Sequence, residues 1–109
     1  MFGYNFDVNG KTYILRLSTQ NIVALEQKLG CNPLAIFGDG TTIPKISDMV
    51  LILFYSLQQM NHGLTLNDAY KIFDEYLASG HIATDFISVI LEIYKVSGII
   101  NGEDTEKNA

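Results

Sequence analysis

Residues 49–55 read Met-Val-Leu-Ile-Leu-Phe-Tyr, a run of consecutive apolar side chains in the middle of the 109-residue chain. An α-helix turns by about 100° per residue, so such a run points in every direction and leaves the helix no polar face. A helix of this kind has to be covered by the rest of its domain or by a partner. The run therefore predicts a central helix, over roughly 46–61, with the other elements packed around it.

Length and composition bound the architecture around this helix. A chain of 109 residues, with 48% apolar and 17% charged residues, has the size and composition of one globular domain. We expect that domain to span 1–100, because 101–109 are almost entirely polar and are expected to be disordered. The net charge is −5 and the 7 basic residues are scattered, so nucleic acid is not an expected partner.

Cys31 is the only cysteine, which rules out an internal disulfide bond and fits a reducing compartment. We expect it to be a small buried side chain rather than a nucleophile. The first residues lack the basic region and apolar core of a secretory signal peptide. The longest apolar run is far shorter than the ~20 residues that a membrane-spanning helix needs. A soluble, cytoplasmic protein is therefore expected.

The N-terminal segment 2–17 is predicted to be a β-hairpin. Asn9-Gly10 favours a type I′ turn, which needs positive φ at both central positions. A two-residue loop fixes the register, and this register places apolar residues together on one face. They are Phe2, Tyr4, Phe6, Val8, Tyr13, Leu15 and Leu17. Because an isolated hairpin is marginally stable in water, this face is expected to pack on helices.

Helical segments, one of them short, are predicted after the hairpin from capping residues, glycines and apolar spacing. Their bounds are about 18–30, 32–37, 46–61, 65–80 and 82–97. Residues 65–68, Thr-Leu-Asn-Asp, resemble a capping box with Asp in the place of Glu. The predicted fold class is mainly α (α+β). An N-terminal β-hairpin packs on a bundle of about four helices, in the order β-β-α-(short α)-α-α-α.

The last predicted helix carries more apolar surface than a small domain is expected to cover. Its polar residues form one stripe, which spans only about 80° of the circumference. They are Asp85, Ser88, Glu92 and Lys95. Since a surface helix usually has an apolar arc of about 100°, we expect this helix and the central one to keep apolar surface for a partner or a second copy. In the alternative, both helices simply lie at the centre of a tight monomer.

No catalytic or cofactor-binding motif is found in the sequence. It contains no Gly-x-Ser-x-Gly turn, no phosphate-binding loop and no calcium-binding loop, and no cluster that predicts a metal site. His62 and His81 are expected to be loop residues, and Glu26 a carboxylate at the edge of a helix face. We therefore expect no cofactor, no metal and no enzymatic activity. A polar pocket that gathers His62 or His81 with acids would favour an enzyme instead.

Three segments together resemble a known family. Residues 13–19 read Tyr-Ile-Leu-Arg-Leu-Ser-Thr, residues 22–30 read Ile-Val-Ala-Leu-Glu-Gln-Lys-Leu-Gly, and residues 62–76 begin His-Gly-Leu-Thr-Leu-Asn-Asp-Ala-Tyr. With a Pro-Leu-x-x-Phe turn at 33–37, this order is similar to the tail assembly chaperones of long-tailed (siphovirus-like) bacteriophages, prophages and gene-transfer agents. The resemblance covers residues 4 to about 97. Asn67 departs from the Glu or Pro that is more common in that family.

The resemblance implies a non-catalytic role in virion morphogenesis. Tail assembly chaperones are thought to bind the tape measure protein, keep it soluble and help recruit tail tube subunits. They act in the cytoplasm of the bacterial host and are not expected in the mature virion. The alternative is another phage or bacterial adaptor that joins proteins without a chaperone role.

The expected partners are the tape measure protein, the tail tube protein and further copies of the chain in a homo-oligomer. Neither a membrane nor a nucleic acid is among them. The candidate partner-binding residues are Ile87, Leu91 and Tyr94, which we expect to face outward from the last helix.

Overall fold

The computed structural model describes residues 2–101. Two strands come first, β1 (Tyr4–Val8) and β2 (Lys11–Leu15), followed by four α-helices and two short 3₁₀ helices. The α-helices are α1 (Thr19–Leu29), α2 (Ile46–Leu57), α3 (Leu66–Ala78) and α4 (Phe86–Val96), and the 3₁₀ helices are Pro33–Phe37 and Ala83–Asp85. This order confirms the predicted fold class. The predicted disorder of 101–109 falls, apart from Asn101, outside the described residues.

The hairpin forms in the predicted register. Val8 lies opposite Lys11, and both turn residues have positive φ, 52° at Asn9 and 81° at Gly10. The predicted apolar face is confirmed at its centre, where the core residues are Phe6, Val8, Leu15 and Leu17. The prediction is wrong for Phe2, which is 57% exposed because the paired strand begins only at Tyr4.

Helix α2 lies at the centre of the domain, as the apolar run 49–55 predicts. It packs against α1, α3, α4 and β2, which together surround it. Half of its 12 side chains are buried: Met49, Val50, Ile52, Leu53, Ser56 and Leu57. The expectation that α2 keeps a wide apolar face for a partner is therefore largely wrong, because the domain itself covers much of the helix and leaves Leu51, Phe54 and Tyr55 half-buried.

Helix α2 ends at Leu57, four residues before the predicted end. Side-chain amides donate to carbonyl groups near this end, which the backbone N–H groups of a further helical turn would otherwise have bonded. Gln58 Nε2 donates to the carbonyl oxygens of Phe54 and Leu64, at 2.9 and 3.1 Å. Asn61 Nδ2 donates to the carbonyl oxygen of Leu57 at 2.9 Å and to that of Ile14 in β2, also at 2.9 Å. These bonds therefore both end the helix and join it to the hairpin.

The carboxyl end of α4 is fastened to the strand-to-helix connection after β2. Arg16 donates to the carbonyl oxygen of Val96 at 2.6 Å and to that of Phe2 at 2.9 Å. The backbone N–H of Leu17 donates to Ser97 Oγ at 2.8 Å. A guanidinium group at a helix carboxyl end is favourable, because it satisfies terminal carbonyls and opposes the negative end of the helix dipole. These contacts fix α4 beside the hairpin.

The predicted capping box at the start of α3 is confirmed. The backbone N–H of Asp68 donates to Thr65 Oγ1 at 3.1 Å, and the backbone N–H of Thr65 donates to Asp68 Oδ2 at 2.9 Å. Hydrogen bonds from Thr65 to the charged carboxylate hold the pKa of Asp68 below its usual value. The exchange sets the direction of α3, which carries the aromatic side chains that meet the hairpin.

Those side chains form an aromatic cluster between the hairpin and the helices. Phe6 of β1, Phe73 and Tyr76 of α3, and Phe86 of α4 are all buried. The Phe86 ring makes edge contacts with the other three, at centroid distances of 5.7 Å to Phe6, 5.2 Å to Phe73 and 5.7 Å to Tyr76. Phe86 is therefore the residue through which the three elements meet.

Candidate functional site

A polar cleft opens at the surface above the aromatic cluster. It has a volume of about 530 Å³ and lies where β1, the end of α3 and the start of α4 converge. Such a volume falls within the ~300–1,000 Å³ range of small-molecule sites. Its lining consists of Tyr4, Asn5, Phe6, Asp7, Tyr76, His81, Asp85, Ser88 and Val89. The sequence did not predict this cleft.

His81 stands at the wall of the cleft. Its imidazole stacks on the Tyr76 ring, with centroids 4.2 Å apart and an angle of 4° between the planes. His81 Nδ1 lies 3.5 Å from Asp85 Oδ2, four residues further on, and that carboxylate also accepts from the backbone N–H of Ile82 at 3.0 Å. His81 is a loop residue, as predicted, but its pairing with Asp85 was not predicted. The i, i+4 spacing of a histidine and an acid across a helix start was the available signal.

The cleft gathers a histidine with acids, which is the arrangement that would favour an enzyme. Ser88 is the hydroxyl that could complete a Ser-His-Asp arrangement. Its Oγ donates instead to the backbone carbonyl oxygen of Asp85 at 3.0 Å, within its own helix. A nucleophilic serine needs its proton directed to the base, so the geometry does not supply an activated nucleophile.

Metal binding at the cleft lacks a ligand set. In the described stretch 2–101, no three His, Cys, Asp or Glu side chains are grouped so that they could hold a metal ion. Cys31 is half-buried and lies between α1 and the first 3₁₀ helix, away from the cleft lining.

Two tyrosines of the cleft have raised pKa values. Burial, with smaller contributions from Asp85 and Tyr4, raises the pKa of Tyr76 to about 12. Burial also raises the pKa of Tyr4, together with the negative charges of Glu92 and Asp7. The charged groups that raise the pKa values of the two tyrosines are carboxylates. The cleft lining holds Asp7 and Asp85 and neither Lys nor Arg. The cleft is therefore aromatic and electronegative.

The raised pKa of Tyr76 predicts a loss of stability in alkaline solution. Between pH 10 and about 12 the unfolded chain ionises at this tyrosine while the folded chain keeps its proton, so the free energy of unfolding falls as pH rises. Urea unfolding at pH 9, 10 and 11 measures this slope. We expect Tyr76→Phe to reduce the slope and Tyr70→Phe, at a 48% exposed tyrosine of the same helix, to leave it unchanged. Equal slopes in Tyr76→Phe and the wild type would contradict the prediction.

The structure separates the three residues predicted to bind a partner. Leu91 is 36% exposed and Ile87 is half-buried; being four residues apart, they share one face of α4. Tyr94 is completely buried, and its hydroxyl donates to the carbonyl oxygen of Pro33 at 3.0 Å. The prediction that Tyr94 faces outward is therefore wrong. The first 3₁₀ helix covers it, and the helical period alone does not reveal which face a distant segment will cover.

The expected excess of apolar surface on α4 is also largely wrong. Phe86, Val89, Ile90, Ile93 and Tyr94 are buried. Large apolar side chains are nevertheless exposed in the described residues, chiefly in connections and first turns, and Leu91 is the one in α4. The exposed ones are Phe2, Val23, Leu34, Ile43, Ile46, Met60, Leu66, Tyr70, Ile82 and Leu91.

Within residues 2–101 no single helix combines the length and apolar content needed to cross a bilayer. The segments Leu66–Ala78 and Ala83–Val96 meet that test by length and composition only when taken as a pair, and the pair is bent by 109°.

Comparison with curated proteins gives no match, and comparison with solved structures gives none either. One family model matches residues 6–109, which include the second half of β1, the whole of β2 and all the helices. It therefore covers the whole aromatic cluster and most of the hairpin and the cleft lining, of which Tyr4 and Asn5 precede the matched residues. The chain belongs to DUF6096, a family of unknown function.

Proposed function

We propose that the chain is a non-catalytic tail assembly chaperone that binds the tape measure protein, keeps it soluble and helps recruit tail tube subunits. The proposal starts from the resemblance of residues 13–19, 22–30 and 62–76 to that family. Each of these segments has a defined structural role. The first leads from β2 to the Ser18 cap of α1, the second is α1 with its closing Gly30, and the third holds the capping box of α3.

The observation that carries the proposal is that large apolar side chains stay exposed although the core of the domain is complete. The ten large apolar side chains exposed in the described residues are not needed to cover α2, which other elements already surround. Exposed apolar surface gives a client of apolar helices something to bind. Three of these residues lie close together in the sequence: Leu34 in the first 3₁₀ helix, Ile43 in the connection that follows it and Ile46 at the start of α2.

Leu91 and Ile87 are the candidate contacts on α4 for the tape measure protein. We expect Leu91→Glu to reduce the amount of soluble tape measure protein on co-expression, while the thermal midpoint of the variant stays within a few degrees of the wild type. The reason is that Leu91 is 36% exposed, so a carboxylate at this position can reach water in the free chain, whereas a carboxylate at an apolar interface is costly.

The matched control is Gln27→Glu, which adds the same charge at an exposed position of α1. It should leave the solubility of the tape measure protein unchanged. If Leu91→Glu unfolds the domain, the residue belongs to the core. If tape measure protein is equally soluble with and without the wild-type chain, the proposed function is wrong.

A protein-joining adaptor of phage or bacterial origin, without chaperone activity, is the second candidate. The electronegative cleft favours it, since it offers a binding site separate from the exposed apolar side chains. Gene neighbourhood separates the two: a tail assembly chaperone should be encoded between the tail tube and tape measure genes.

Self-association would cover the same apolar surface in the absence of client, and light scattering after size-exclusion chromatography would detect dimers or larger oligomers.

A further inference from the structure

Strand β1 has one free edge. The hairpin closes at the pair Val8 and Lys11 through a two-residue turn, so this pair exchanges hydrogen bonds. Bonded and non-bonded pairs alternate along an antiparallel ladder, and the next bonded pairs are therefore Phe6 with Tyr13 and Tyr4 with Leu15. The backbone N–H and C=O groups of Asn5 and Asp7 consequently point away from β2. In the described part of the chain, the sheet has only these two strands.

The electronegative cleft runs along this same edge. Asn5 and Asp7 both line it, so the strand edge that carries their outward-pointing backbone groups borders the cleft. The opposite wall consists of the Tyr76 and His81 rings, stacked on one another, and the Asp85 carboxylate. A strand edge and a side-chain cavity thus lie next to each other.

We propose that the β1 edge binds an extended peptide segment of a protein partner, which adds to the hairpin as a third strand and places a basic side chain in the cleft. Main-chain hydrogen bonds to an exposed edge give such complexes their affinity, and a pocket beside the edge gives them side-chain specificity. The site does not depend on the proposed role in tail assembly, because any protein with a suitable segment would bind.

The charges at the cleft select a basic occupant. Asp7 and Asp85 line it, Glu92 acts on its Tyr4, and no Lys or Arg contributes to the lining. An arginine or lysine would gain charge-assisted hydrogen bonds from the carboxylates and a cation–π contact with the tyrosine rings. A second copy of the chain, joined edge to edge, would instead bring another set of these acids to the same place, which like-charge repulsion opposes.

The test uses a designed probe, the acetylated and amidated peptide Thr-Val-Thr-Arg-Thr-Val-Thr, titrated into the ¹⁵N-labelled full chain. We expect saturable shifts centred on the amides of Asn5 and Asp7. Replacing the central arginine by glutamate should weaken binding about two- to fivefold, as expected for an ion pair to exposed carboxylates. Equal affinity of the two peptides, shifts away from β1 and the cleft, or no binding at millimolar concentration would each overturn the proposal.

Backbone pairing is tested with two N-methylated forms of the arginine peptide. One form is methylated at alternate residues beginning with the first, and the other at the remaining residues. Only one set of N–H groups can face β1, so one form should bind about tenfold more weakly, because it loses main-chain hydrogen bonds to the strand. The other form should bind like the parent. Equal binding of both forms would show that side chains alone hold the peptide and would overturn strand addition.

Variants of the chain supply the reciprocal test. Asn5→Pro removes an outward-pointing N–H without breaking the ladder to β2, and it should abolish binding, whereas Asn5→Ala should not. Asp7→Lys should reverse the preference, so that the glutamate peptide binds better than the arginine peptide. If Asn5→Pro does not fold, the N-methylated peptides and Asp7→Lys still decide the question. A concentration-dependent β1–β1 dimer that excludes the peptide would overturn the proposal.

Discussion

Phe86→Ala should lower the free energy of unfolding by about 3–5 kcal/mol, the range measured for removal of a buried aromatic ring. Phe86 is completely buried, and its ring meets Phe6, Phe73 and Tyr76 at once. The substitution therefore opens a cavity where the hairpin, α3 and α4 join, and those elements can close it only by moving together. Such a loss is a large part of the ~5–15 kcal/mol that stabilises a typical domain.

Urea unfolding followed by far-ultraviolet circular dichroism measures this effect. The matched control is Leu91→Ala on the same helix, which removes a side chain that is 36% exposed. We expect the control to cost clearly less than Phe86→Ala, because 36% of the leucine stays in contact with water and its removal leaves no enclosed cavity. Similar losses for the two variants would mean that the aromatic cluster is not the junction of the fold.

The hairpin could be predicted from the sequence because its determinants are local. Asn9-Gly10 fixes the turn, the turn fixes the register, and alternation fixes the buried face. The capping box at Thr65 and Asp68 is local in the same sense. In each case the interacting residues are only a few positions apart, so no knowledge of the tertiary structure was needed.

The surfaces of α2 and α4 could not be predicted in this way. An apolar face shows that a helix must be covered, but it does not say which segment covers it. The first 3₁₀ helix covers α4 at Tyr94 through a bond that spans 61 positions of sequence. The predicted helix is therefore present, but the inference that the apolar face of α4 stays free is wrong.

The cleft was missed for a related reason. It joins residues 4–7 with 76–89, and the acids Asp7 and Asp85 have no pattern in common. Only the fold of the hairpin against α3 and α4 brings them to one place. His81 and Asp85 were the part within reach of sequence analysis, since four residues separate a histidine from an acid at a predicted helix start.

Tyr94→Ala is expected to destabilise the domain about as strongly as Phe86→Ala, by about 3–5 kcal/mol. The substitution removes a completely buried ring, its edge contact with Phe37 at 6.4 Å, and the hydrogen bond from its hydroxyl to the carbonyl oxygen of Pro33. Tyr94→Phe keeps the ring and leaves that carbonyl without its donor, which should cost about 1–3 kcal/mol. The difference between the two variants separates the ring from the hydroxyl.

The alkaline limb of the stability curve gives a second measurement on Tyr94. Burial raises the pKa of its phenol, with further contributions from Cys31 and Asp48, so ionisation in the unfolded chain above pH 10 favours unfolding. Tyr94→Phe should therefore be less destabilised relative to the wild type at pH 11 than at pH 8.

The control for Tyr94→Ala is Tyr70→Ala, at a 48% exposed tyrosine, which should cost less than about 1 kcal/mol. If Tyr94→Ala instead folded with unchanged stability and lost only partner binding, Tyr94 would be an interface residue and the first 3₁₀ helix would not be its permanent cover.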